Sequence, residues 1–223
     1  MDVPLLKHVD GDELYGDFLP LLEGSFGVKI AENESPPIRT FGEFCAVVQS
    51  QLPPTESPDC TMQQAFYKLR RAFTIHVLGV SFRPDTLLSD LLPRSRKHRA
   101  RILTAVESEL GFPLNIVGLS SLGCVIIICA FLLSAAAFLY QWQAGVIGLL
   151  LTFTGARLLE KYYQSVEVST VRELVEKITR EHYRQVRRNP NTANQQEIVS
   201  QLQALFAYEL GIERSLLTSE AQL

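Results

Sequence analysis

A chain of 223 residues with 21 basic and 24 acidic side chains and a formal net charge of −3 has room for one or two small domains, and it lacks the cationic excess of a nucleic-acid binder. Its cysteines, Cys45, Cys60, Cys124 and Cys129, show neither Cys-x-x-Cys spacing nor a nearby histidine group, so the pattern indicates no zinc site and no disulfide framework. His8, His76, His98 and His182 stand apart from nucleophiles and carboxylate partners, and no phosphate loop or dinucleotide fingerprint occurs; the chain is read as non-enzymatic.

The first 59 residues are dominated by acids such as Asp10, Asp12, Asp17, Glu23 and Glu43. Their amphipathic start lacks the basic opening and apolar core of a secretory signal. Periodicity predicts helices over Glu13–Phe26 and about Thr40–Leu52, followed by the proline-rich linker 53–60. Thr61-Met62-Gln63-Gln64 reads as a capping box opening a helix with Ala65, Phe66, Leu69, Phe73 and Val77 on one face and Gly79 at its end. A basic helix follows from Ser95, with Ile102, Leu103, Val106 and Leu110 as its apolar stripe and Gly111 as its stop. Its cations are Arg94, Arg96, Lys97, Arg99 and Arg101.

No charged side chain occurs between Gly111 and Ala156. At roughly 20 residues per crossing this run predicts a two-pass transmembrane hairpin over 115–159, with spans Ile116–Leu139 and Ala144–Leu159. Tyr140, Trp142, Arg157 and Lys161 are the expected membrane-interface residues. The uncharged turn between basic flanks puts both termini in the cytoplasm and the protein in the cell's inner membrane. Gly145, Gly148, Gly155 and the small residues Ser134–Ala137 are expected to let the two helices approach closely. Beyond the hairpin, Thr170 and Glu173 form a second capping box, with Val171, Leu174, Val175 and Ile178 facing a core. Asn189-Pro190-Asn191 is a loop, and a last helix runs from about Gln195 to Leu210 before Gly211.

The soluble segments resemble the acyl carrier protein superfamily, and the resemblance occurs twice. Gln64–Val80 with Leu78-Gly79-Val80 is similar to a carrier first helix, Pro84–Leu91 to its long loop, and Ala105–Phe112 to the end of the second helix. The segment similar to the third helix, Val168–Val175, comes after the hairpin. In the second instance Asp10–Val28 and Ile38–Phe44 resemble the second and third helices, whereas Ile198–Ile212 and Leu216–Ala221 resemble a first helix and its loop.

The resemblance implies an all-α protein made of two small carrier-like bundles plus the hairpin. One bundle consists of 1–52 completed by 192–223, by circular permutation or by exchange between two chains as a homodimer. The other comprises 61–114 and 160–189. A working carrier holds phosphopantetheine on a serine at the start of its second helix. The matching position in the first bundle is at or near Asp12, which cannot accept the arm, and in the second the candidate is Ser95, whose alternative role is a helix N-cap. The expected function is therefore a docking or scaffold module without a cofactor, with a membrane-tethered phosphopantetheine carrier using Ser95 as the alternative. The partners expected for the basic patch Arg94, Arg96, Lys97, Arg99 and Arg101 are anionic headgroups of the bilayer or a cytosolic protein; nucleic acid is not expected.

Overall fold

The computed structural model of the chain describes residues 13–30, 38–77, 82–119, 121–162, 164–166 and 168–223. The motifs Asp10–Asp12 and Leu78–Val80, Gly79 included, lie outside the described residues. The protein is mostly helical. A π-helical stretch, Glu13–Phe18, runs into α1 (Leu19–Phe26), followed by α2 (Phe41–Gln51), α3 (Thr61–His76), the single turn α4 (Leu88–Leu91) and α5 (Arg96–Leu110). Next come β1 (Val117–Leu119), α6 (Ser121–Tyr140), α7 (Trp142–Tyr162) and β2 (Gln164–Val166), then α8 (Val171–Glu181), α9 (Tyr183–Val186) and α10 (Gln195–Glu209).

Local sequence explains several boundaries. The Thr40 hydroxyl accepts the Glu43 N–H at 3.2 Å while the Glu43 carboxylate accepts the Thr40 N–H at 3.3 Å, a reciprocal cap that starts α2. Thr170 caps α8 by accepting the Glu173 N–H. Glu173 reaches back to the Ser169 N–H at 2.8 Å. Gly27 and Gly111 end α1 and α5 with φ of 70° and 81°, a left-handed geometry that costs a side-chain-bearing residue more than glycine. The box expected at Thr61–Gln64 does not form. Cys60 is the N-cap of α3, and the Thr61 N–H, already inside the helix, donates instead to the distant Glu197 carboxylate at 3.1 Å.

The buried side chains form two clusters. One gathers residues of α3, α4, α5 and the segment after α5 around the face of α8 that carries Val171, Leu174, Val175 and Ile178. The i, i+3, i+4, i+7 spacing of those four residues lines one side of a helix. The other cluster combines Phe18, Leu22, Phe41, Phe44 and Val48, near the start of the chain, with Ile198, Leu202, Leu205 and Phe206 near its end. The two ends also meet through backbone: the Phe41 N–H donates to the Ala221 carbonyl at 2.9 Å, that of Gly42 to Ser219 at 3.0 Å, and that of Leu223 to Arg39 at 3.0 Å. The clusters touch where Ser25 Oγ donates to the Arg180 carbonyl (2.6 Å) and accepts the Tyr183 N–H (3.1 Å), beside the stacked rings of Phe26 and Tyr183.

Between the parts of the first cluster, α6 and α7 form an antiparallel hairpin on a two-stranded base in which Val117, Gly118 and Leu119 pair with Val166, Ser165 and Gln164. Two of the expected small residues do bring the helices together. A Cβ at Gly145 would fall 2.5 Å from the Phe138 backbone, and one at Gly148 would meet Ser134 at 2.9–3.3 Å. The Ser134 and Thr152 hydroxyls lie 3.1 Å apart. Gly155 faces open space.

The two-pass transmembrane reading is corrected. Among the described residues no helix is long and apolar enough to cross a membrane. The apolar run is divided otherwise than expected: Leu114 and Ile116, the latter taken as the start of the first span, are buried in the first cluster at 0% and 2% exposure. Val117–Leu119 are strand, so α6 begins only at Ser121. The charge-free part of α7 ends at Arg157, short of the roughly 20 apolar residues a bilayer core demands. The inner-membrane location falls with the spans. Tyr140, Trp142, Arg157 and Lys161 are accordingly positions in a helical hairpin, with Tyr140 closing α6, Trp142 opening α7 and the Arg157 guanidinium 5.5 Å from the Phe153 ring centroid.

Candidate functional site

The most distinctive chemistry indicated by the sequence, Ser95 within a run of cations, lies at the start of α5. The chain reaches it through a well-anchored loop. Leu88, Leu91 and Leu92 are buried, and the backbone around them is tied to the segment before α8: the Leu88 N–H donates to Ser169 (2.9 Å), Val171 to Thr86 (3.0 Å) and Arg172 to Pro84 (2.8 Å). The Arg172–Asp85 ion pair beside them is 3.0 Å long but exposed on both sides, so it adds little. With Leu91 and Leu92 held in the core, Pro93 and Arg94 carry the chain out to the surface.

Ser95 is exposed and stands at the N-cap position, with extended dihedrals of φ −66° and ψ 116°. Its carbonyl accepts the Arg99 N–H at 2.8 Å, but its hydroxyl makes no capping bond. The simple structural role expected of a serine here is therefore not the one it performs, and the hydroxyl is accessible to a reagent. From Ser95 onward Leu103, Val106 and Leu110 turn α5 onto the core. The opposite side presents Arg94, Lys97 and Arg101 to solvent and keeps Arg96 and Arg99 half-buried.

The electrostatics of this arrangement oppose helix formation. The first turn of α5 holds no acid, and the helix N-terminus is itself the positive end of the macrodipole. A cation there costs about 0.3–1 kcal/mol at low salt, and like charges one turn apart, such as Lys97 and Arg101, add about 0.2–0.5 kcal/mol. These charges do not assist folding, but together they make a strong local attractor for an anionic surface.

The other sequence candidates separate. Asp12, the position matching the prosthetic serine in the first bundle, lies outside the described residues. Ser25, not singled out by the sequence, is fully buried, with its hydroxyl engaged in two hydrogen bonds to backbone groups. Cys45 is buried, and that burial pushes its thiol up to about 11; Cys60, Cys124 and Cys129 are exposed, and all of them are free thiols. His182 stacks on Phe112, with ring centroids 4.4 Å apart, and places Nε2 3.0 Å from the Pro113 carbonyl. Burial holds its pKa below the usual histidine value, an effect that nearby Lys177 reinforces and the Pro113 contact opposes. Among the described residues no group of His, Cys, Asp or Glu could hold a metal ion.

Arg187 is a residue that local sequence does not single out. It follows α9 in a polar stretch, Arg187-Arg188-Asn189-Pro190, that reads as surface, yet its side chain is 2% exposed. Comparison with protein-family models, with curated proteins and with solved structures finds no match to this chain.

Proposed function

We propose that this chain is a non-enzymatic docking protein built from two degenerate acyl-carrier-like units, and that the cationic start of α5 receives an acidic protein surface. The observation that carries the reading is the exposed Arg94, Lys97 and Arg101 at a helix N-terminus without an acid in its first turn. Clustering of this kind costs helix stability and speeds encounter with an anionic partner. The carrier likeness draws support from the composition of the two clusters, one uniting residues 65–116 with 168–186 and the other 18–52 with 183–217. It draws further support from the pairing of 84–88 with 169–172, where a carrier's long loop would meet its third helix.

The test uses an acidic polypeptide as probe. Fluorescence anisotropy with labelled poly-glutamate should show salt-sensitive binding that weakens about tenfold or more in the triple variant Arg94→Glu, Lys97→Glu, Arg101→Glu. Binding equal to that of the parent would remove the docking surface from this face.

One observation favours a second reading, in which Ser95 is a phosphopantetheine acceptor. Its hydroxyl is exposed and uncommitted at the start of the helix equivalent to a carrier's second. An attached arm would supply a terminal thiol for thioester chemistry, and Arg94 and Arg96 would flank its phosphodiester. Against this, carriers present an acidic second helix to their enzymes, and α5 presents cations.

A further inference from the structure

A cleft of about 500 Å³ opens between the start of α3 and the chain leaving α9. Its lining is unbalanced in charge: among the described residues, Lys68, Arg71, Arg187 and Arg188 face it with Asp59 as the sole acid. Asp59 is itself engaged, accepting from Ser57 Oγ and Gln64 Nε2, each at 3.1 Å.

Arg187 is the unusual member. At 2% exposure its guanidinium donates only to neutral oxygens: Nη1 to Thr61 Oγ1 (2.7 Å) and Tyr183 Oη (3.5 Å), and Nη2 to Thr192 Oγ1 (3.3 Å) and the Ser57 carbonyl (3.4 Å). Its Nε has no partner. A guanidinium in the interior is ordinarily matched by a carboxylate or another anion, because the desolvation of a charge is otherwise uncompensated. Lys68 shows the same tendency. It is half-buried, and its ammonium donates to the Gln185 carbonyl at 2.6 Å.

We propose that this cleft is a binding site for the phosphate group of a small phosphate ester. The buried Arg187 guanidinium, held by four neutral acceptors, places an uncompensated positive charge behind the cleft, and Lys68, Arg71 and Arg188 on its walls surround the oxygens of a tetrahedral dianion. The concave shape and the volume match a small ligand and are too confined for the side of a folded partner. Tyr67, 55% exposed on the cleft wall, gives the organic part of the ester an aromatic face to lie against. The site is separate from the start of α5, and it stands or falls independently of docking there.

The experiment is calorimetric titration of the full chain with inorganic phosphate and then pyrophosphate at low salt. Saturable binding is expected, weakened about tenfold or more in Lys68→Gln/Arg71→Gln, whose exposed or half-buried side chains are not needed for the core. Absence of saturable binding to the parent chain overturns the proposal, as does binding unchanged in Lys68→Gln/Arg71→Gln. Loss that occurs only on removing Arg94, Lys97 and Arg101 also overturns it, by assigning the anion to α5.

Discussion

Replacement of Phe206 by alanine tests whether the two ends of the chain share one core. Phe206, on α10, is 1% exposed and makes edge contacts with Phe18, Phe41 and Phe44 at centroid separations of 4.7, 5.3 and 5.3 Å. Truncating a buried phenylalanine costs about 3–5 kcal/mol, and aromatic pairs add about 0.5–1.5 kcal/mol each beyond area burial. Contacts that share one ring do not sum, so the expected loss is about 4 kcal/mol, a large fraction of the roughly 5–15 kcal/mol that stabilises a domain. Phe206→Leu keeps most of the volume, gives up the edge contacts, and should lose about 1–2 kcal/mol. Urea unfolding followed by circular dichroism supplies the free energies. A double-mutant cycle pairing Phe18→Leu with Phe206→Leu should return a coupling of about 0.5–1.5 kcal/mol. A loss below about 1 kcal/mol for Phe206→Ala, with zero coupling to Phe18, would refute the reasoning that α10 completes the core begun by α1 and α2.

Three further outcomes follow from the same packing. Ser25→Ala removes the hydroxyl that serves both the Arg180 carbonyl and the Tyr183 N–H, and by orphaning buried backbone groups it should cost about 1–3 kcal/mol in urea unfolding. Gly42→Ala puts a Cβ 2.6 Å from the Ser219 carbonyl oxygen, backbone that cannot swing aside, so a loss of about 1–3 kcal/mol is expected, with faster proteolysis of the last residues as a second readout. His182, depressed in the folded chain by burial, favours its neutral form there, so the unfolded chain binds the extra proton first as pH falls. Its contribution should be complete above the ordinary value of 6.5 and decline as pH drops from there toward the folded pKa, and His182→Gln should flatten that part of the stability–pH curve.

The helical class and most element positions were legible because they depend on local patterns. Thr170 with Glu173, and the spacing of Val171, Leu174, Val175 and Ile178, specify the start and the buried face of α8 without reference to anything distant. Thr61–Gln64 failed as a box for the opposite reason: the Thr61 N–H is claimed by Glu197, more than a hundred residues away, so the helix begins one residue earlier than the motif implies. Hydropathy likewise cannot distinguish Ile116 at the start of an apolar helix from Ile116 in a core, because both environments are apolar; only packing against α3, α5 and α8 decides it. Ser95 was placed correctly at the head of α5, yet its uncommitted hydroxyl could not be read from a residue type that usually caps. Arg187 was invisible because burial of an arginine needs neutral acceptors from Thr61, Tyr183 and Thr192, a convergence of three segments that no window of sequence contains.

The most direct test of the central claim is the intact mass of the full chain after co-expression with a broad-specificity phosphopantetheinyl transferase, measured beside Ser95→Ala. A docking protein that has lost the prosthetic group predicts a mass equal to that of the unmodified chain in both. An added phosphopantetheine in the parent that disappears in Ser95→Ala would contradict the account and make the protein an acyl carrier.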